Sequence, residues 1–218
     1  MSDTTPGVRP RLGYIGLGAM GGAMVEAACA AGWAPRVYDL DPGRVETAVA
    51  AGAAAASDPA AVARASDVVG VCVPAAEHVE AVLGGPDGLV TGAADRPTDA
   101  GDLVVLVHST VAADDIRRWH AAFRRARIAV HDAAVAGGAA AARAGDLVLL
   151  VGGLADVDPA ARGVLDAYAG LVLDAGPVGA GAVLKLAVNV MTYAQQAAAA
   201  AAWDLVADAG GDPTLLLE

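Results

Sequence analysis

The stretch "GYIGLGAMGGAM", residues 13–24, limits the possible folds more than any other part of the chain. It places Gly16, Gly18 and Gly21 in a GxGxxG pattern, with Ala19 and Met20 between the last two glycines. The apolar "RLGYIGL" before the turn reads as a β-strand, and "GAMGGAMVEAACAAG" after it reads as a helix ended by Gly32. Glycines at this spacing let the chain turn tightly, approach a pyrophosphate closely and pack helix against strand. The helix start meanwhile offers unpaired N–H groups to an anion. Glycine is abundant here, 27 of 218 residues, so the pattern gains its weight from lying between a strand and a helix.

A second strand, "APRVYDLD", ends near Asp39, about twenty residues past Gly18, where a carboxylate can accept hydrogen bonds from the adenosine ribose. The same carboxylate repels a 2′-phosphate, so the expected cofactor is NAD rather than NADP; Arg44 nearby keeps NADP open. An ordinary turn aspartate, capping toward Asp41 and Pro42, is the alternative reading of Asp39. Cys72, Val73 and Pro74 close the apolar strand "SDVVGVCVP" and are expected to line the cofactor crevice. No histidine is locally paired with Cys72, which points to a wall residue and not a nucleophile.

Strand and helix signals then alternate along the chain. "PGRVETAVAAG", "SDPAAVARA", "AAEHVEAVLG" and "AADDIRRWHAAFRRA" read as helices, and "AAAA" and "LVVLVHST" as strands. "GPDGLVTGAADRPTDAGD" reads mostly as loop, with room for a short turn under the sheet. "RIAVHDAAVAGGAAAARAGDLVLLVGG" reads as a strand, a glycine-rich loop, an alanine-rich segment and a further strand. This order argues for an α/β, doubly wound, mostly parallel sheet of Rossmann type. A long helix is expected from Ala182 to about Asp208, stopped by Gly210 and Gly211, with "DPTLLLE" beginning a further helix. The expected organisation is a flexible tail over 1–10, a dinucleotide-binding domain over 11–176, and an interdomain helix with the start of a truncated helical domain over 177–218.

Charge and hydropathy exclude other classes. A formal charge of -11 disfavours nucleic acid and anionic lipid, which need a basic footprint. The mean hydropathy of +0.50 comes from scattered apolar residues interrupted before any membrane-spanning run. "MSDTTPGVRP" has no hydrophobic targeting core, and Cys29 and Cys72 have no framework spacing, so a cytoplasmic location is expected. The histidines at 78, 108, 120 and 131 show no metal-ligand spacing, and Ser109 is outside any GxSxG elbow.

Lys185 is the sole lysine beside thirteen arginines, and it follows "GAG" inside the apolar "VGAGAVLKLAVNV". A cation near a helix start opposes the macrodipole, and apolar surroundings lower its pKa, so functional placement competes with chance survival of one lysine in an arginine-rich chain. Asn189 lies four residues on, on the same helix face. Ser109 and Thr110 in "VHST" and Gly137 and Gly138 in "HDAAVAGG" end up at strand termini that should converge on the same crevice. Ser109 and the glycine amides suit a carboxylate, and Lys185 suits proton exchange with a hydroxyl or carbonyl oxygen.

"GYIGLGAMGGAM", "VYDLDPGRVETA", "VVGVCVP", "VHSTV", "HDAAVAGG" and "VGAGAVLKLAVN" together, in this order, resemble the beta-hydroxyacid dehydrogenase family. That resemblance implies a dinucleotide domain, a long interdomain helix and an all-helical C-terminal domain that completes the site and usually the dimer. It also implies Lys185 as catalytic lysine, Asn189 as substrate-orienting asparagine, Ser109 as substrate-binding serine and Gly137–Gly138 as substrate loop. Gly16, Gly18, Ala19 and Met20 match the pyrophosphate turn, Asp39 the ribose contact, and Val73 with Pro74 the nicotinamide side. The chain departs from the family at Val188, where an asparagine is common, at His108 before the serine, and at Ala134, where proline is common. The expected function is hydride transfer between NAD and a small carboxylate carrying a β-hydroxyl or β-aldehyde, by a homodimer or higher homo-oligomer. A non-catalytic dinucleotide-binding interaction protein is the alternative.

Overall fold

The computed structural model describes residues 9–217. The tail expected over 1–10 therefore falls, for its first eight residues, outside the described residues. Arg9 stacks over the Trp33 ring at 3.7 Å and donates to the carbonyls of Gly32 and Ala31.

Eight strands form one sheet: β1 (Leu12–Ile15), β2 (Arg36–Tyr38), β3 (Ala54–Ala55), β4 (Val68–Val71), β5 (Leu103–Val107), β6 (Ile128–Ala136), β7 (Leu147–Gly152) and β8 (Ala169–Gly176). Their spatial order is β3-β2-β1-β4-β5-β6-β7-β8. The first six run parallel, β7 is antiparallel to β6, and β8 is parallel to β7. This is a Rossmann-type sheet whose strand order reverses between β1 and β4, where such folds open a crevice at the carboxyl ends of the strands.

The helices are α1 (Ala19–Ala30), α2 (Pro42–Ala50), α3 (Pro59–Ala65), α4 (Ala76–Gly84), α5 (Leu89–Ala94), α6 (Ala113–Phe123), α7 (Gly138–Arg143), α8 (Pro159–Leu165) and α9 (Ala180–Asp208). Proline at the first position of α2 and α3 follows Asp41 and Asp58, whose carboxylates accept from Gly43 N and Ala61 N. Both starts are thus capped by the residues a helix beginning favours.

Two apolar cores flank the sheet. One joins α1, α7 and α8 through residues such as Met24, Val25, Ala142 and Leu165; the other joins α3 to α6 and the first turn of α9 through Val62, Leu83, Leu89, Trp119 and Ala182. Each fully buried Leu, Ile, Val or Met contributes about 1.5–3 kcal/mol. β1, β4 and β5 are buried along their whole length, which explains their uninterrupted apolar sequences.

The structure corrects two details. Residues 89–94, expected as loop, form α5, because Leu89 and Ala93 anchor it in the second core and Gly92 lets it approach Ala60 of α3. β6 runs on through Ala136 and changes partner after Asp132 from parallel β5 to antiparallel β7. The long helix begins at Ala180, two residues earlier than expected, and Pro213–Leu217 forms a 3-10 turn. Among the described residues no helix is long and apolar enough to cross a membrane.

Candidate active site

A cleft of about 710 Å³ opens at the ends of β1, β2 and β4. Gly16, Gly18, Ala19, Met20, Gly21, Asp39, Cys72, Val73 and Pro74 all line it, so the whole set expected to bind a cofactor is brought together. Gly16 turns at φ +89 and donates from its N–H to the Tyr38 carbonyl at 3.0 Å; a side chain there would strike the Cys72 carbonyl. Gly18 differs, since the nearest atom to a Cβ at that position is an Arg44 nitrogen at 3.9 Å. Protein packing does not demand glycine at 18. Its bare backbone leaves a cradle open toward the cleft, which fits a pyrophosphate. Gly18 is also the N-cap of α1 and brings no capping side chain, so the amides of Ala19 and Met20 remain available to an anion, while that of Gly21 is directed at Cys72.

Asp39 holds a turn and also lines the cleft. Its Oδ2 accepts from Leu17 N at 2.6 Å and its Oδ1 from Asp41 N at 2.8 Å, so it is a turn aspartate that also faces the cleft. Arg44 lies 3.7 Å from Asp39 and 3.4 Å from Asp41, a single cation between two carboxylates. Burial pushes the Cys72 thiol up to about 11, so it stays a neutral wall group. Leu40, His78, Ala81 and Val82 also line the cleft. The turn after β2 and the exposed face of α4 were not legible as cleft wall, because nothing local in those residues marks them.

The residues expected to bind substrate lie outside this cleft. Ser109 adjoins it: its Oγ accepts from Val73 N at 2.9 Å, joining the end of β5 to the cleft wall and leaving the hydroxyl proton free to donate. Thr110 follows on the surface. Gly137 and Gly138 are exposed between β6 and α7, on the side of α1, to which Arg143 is tied by a 2.9 Å ion pair with Glu26. Lys185 and Asn189 are half-buried on α9. Burial holds the Lys185 ammonium below the ordinary lysine value, and among the described residues it makes no ion pair or hydrogen bond.

Two buried polar groups support this region. His108 Nδ1 donates to the Ala133 carbonyl at 2.7 Å and its Nε2 accepts from the Tyr168 hydroxyl at 3.2 Å, which fits the neutral ring; burial lowers its pKa to about 4. Both of its ring nitrogens are thus engaged inside the core, which makes it a structural residue. Asp132, buried to 1 % exposure, accepts from Gly179 N at 2.7 Å and Ala182 N at 2.8 Å and so fixes the start of α9. Sequence reasoning passed over it. The signal was an acid inside the apolar run "IAVHDAAVA", since a buried carboxylate requires donors.

A family model described as the NAD binding domain of 6-phosphogluconate dehydrogenase matches residues 11–179. The chain is 38% identical over 179 residues to an NAD-dependent L-serine dehydrogenase of Pseudomonas aeruginosa, covering 82% of this chain and 58% of that protein. It is 34% identical over 207 residues to the 3-hydroxyisobutyrate dehydrogenase of the same organism, covering 95% and 67%. The solved Mycobacterium tuberculosis 3-hydroxyisobutyrate dehydrogenase with L-serine superposes with a TM-score of 0.81 at 29% identity, over 94% of this chain and 67% of that one. The chain thus spans 58% to 67% of the length of these relatives.

Proposed function

The chain belongs to the beta-hydroxyacid dehydrogenase family, and from that premise we propose that it transfers a hydride between NAD and a small β-hydroxyacid or the matching semialdehyde. The observation that carries this reading is the one lysine of the chain, half-buried with its ammonium destabilised by burial, on the helix whose start is bonded to Asp132 opposite the carboxyl end of β5.

Bound in the cleft against Gly16, Gly18, Ala19, Met20 and Gly21, NAD supplies the hydride acceptor. Neutral Lys185 takes the proton of the β-hydroxyl during oxidation and returns it to the aldehyde oxygen in reduction. Asn189, on the same helix face, holds that oxygen in register. The free proton of Ser109, with Thr110 and the amides of Gly137 and Gly138, holds the substrate carboxylate. Cys72, Val73 and Pro74 form the wall on the nicotinamide side.

NAD is preferred to NADP in this reading because Arg44 is already shared by Asp39 and Asp41, which leaves the ribose corner with excess negative charge. In the proposed organisation residues 11–176 form the dinucleotide-binding domain and 177–218 the interdomain helix with the start of a helical domain. Exposed Val190, Met191, Tyr193 and Leu205 on α9 support a homodimer or higher homo-oligomer, and the two free cysteines suit a cytoplasmic protein.

Val188, standing where the family often has asparagine, favours one other reading, a dinucleotide-binding interaction protein without turnover. Both readings are tested by following NADH formation across a panel of small β-hydroxyacids, with NADP in a parallel series. Substrate-dependent NADH formation supports the dehydrogenase; tight NADH binding with no turnover of any panel member supports the interaction protein.

A further inference from the structure

We propose that Asp132 is a positioning residue, which sets the place of Lys185 by capping the start of α9 from the neighbouring sheet. The inference rests on the reading of Lys185 as proton carrier given above.

α9 has glycine as its N-cap, so its own chain offers no side chain to satisfy its first amides. Asp132, 47 and 50 positions earlier in the chain, supplies both acceptors, one oxygen to Gly179 N and the other to Ala182 N. A carboxylate at this end also complements the helix macrodipole. The fit leaves little play: a Cβ at Gly181 would run into the Leu150 carbonyl and Asp132 Oδ2.

Ala182, Lys185 and Asn189 stand three and then four residues apart, so they form one stripe along the helix. Ala182 is 4 % exposed and packed in the second core, while Lys185 and Asn189 are half-buried further along the same stripe. Moving the bonded amide of Ala182 therefore moves both side chains. Asp132 is also the last residue of β6 paired with β5, opposite Val107, two residues before Ser109. One carboxylate thus ties the helix of Lys185 to the strand pair that leads to Ser109.

The single lysine makes the test direct. Reductive methylation with ¹³C-formaldehyde gives one side-chain signal, that of Lys185, beside the signal of the amino terminus. Its pH titration is compared in the parent, Asp132→Asn and Asp132→Ala, with NADH affinity and turnover measured on the unmethylated proteins. The Lys185 titration is expected to move up toward that of an ordinary lysine in both variants, more in Asp132→Ala. With turnover, kcat falls about 100-fold in Asp132→Ala and about 10-fold in Asp132→Asn, as small misplacements of a reacting group do. NADH affinity is expected to stay within about twofold, because the cleft and its glycine turn do not include Asp132.

A Lys185 titration and a kcat both unchanged in folded variants overturn the proposal. If Asp132→Ala does not fold, Asp132→Asn, which keeps one acceptor, carries the same comparison. A parent without turnover of any β-hydroxyacid defeats the dehydrogenase reading alone; the Lys185 titration then still decides whether Asp132 sets the place of the lysine.

Discussion

Asp39 Oδ2 accepts the Leu17 amide at 2.6 Å, so the acid after β2 holds the glycine turn as well as lining the cleft. Asp39→Ala is accordingly expected to do two things at once. NADH affinity falls about tenfold, equivalent to about 1.4 kcal/mol, and stability falls by about 1–3 kcal/mol because two amides lose their acceptor. Isothermal titration and chemical denaturation of the same variant check both; a change in affinity with unaltered stability speaks against the turn-holding role.

Arg44 sits between Asp39 and Asp41, and in the proposed reading its partition decides how a 2′-phosphate is received. Asp41→Asn frees Arg44 from one carboxylate while keeping a side-chain oxygen for Gly43 N, since asparagine caps helices as well as aspartate does. The ratio of kcat/KM for NADP to that for NAD is expected to rise about 2- to 5-fold, the range of one exposed charge pair of up to about 1 kcal/mol. No change in that ratio detaches Arg44 from cofactor choice.

His108 links stability to pH. Its folded pKa, about 4, lies below the ordinary 6.5, because the buried ring is held neutral between Ala133 and Tyr168. As the pH falls below 6.5 the unfolded chain takes this proton first. The contribution of His108 is therefore complete above 6.5, is lost as the pH falls toward 4, and amounts to about 3 kcal/mol across that window. Denaturation of parent and His108→Gln at a series of pH values checks this: the parent is expected to lose more stability over the window than the variant. Equal slopes contradict it.

Ser109 has its lone pair engaged by Val73 N and its proton free. Ser109→Ala is expected to raise KM for the hydroxyacid about 10-fold, one hydrogen bond to a charged group, with little change in kcat. Steady-state kinetics at saturating NAD separate the two; a fall in kcat alone places Ser109 elsewhere in the reaction.

The half of the candidate site that lines the cleft was legible because it is local. Gly16, Gly18, Gly21, Asp39 and Val73 sit at the ends of strands whose order follows from the alternation of strand and helix, and all of them line the cleft. The substrate half was legible only as a set of residue types. Lys185 and Asn189 declare a shared helix face by their spacing, but where that face lies depends on a bond from Asp132 to amides about fifty positions away, which no periodicity records. Residues 85–102 misled for a related reason: glycine, proline and aspartate signal loop, yet contact of Leu89 and Ala93 with the second core stabilises a short helix among them.

The most direct test of the central claim compares NADH formation by the parent, Lys185→Ala and Lys185→Arg on the same β-hydroxyacid, with NADH binding measured alongside. The expected result is unchanged NADH binding in all three, and a loss of kcat of about 10²- to 10⁴-fold in both variants, the range of a removed general base. The parent rate should rise with pH through a midpoint below that of an ordinary lysine, since only neutral Lys185 can take the proton. Parent-like turnover by Lys185→Ala would contradict the account.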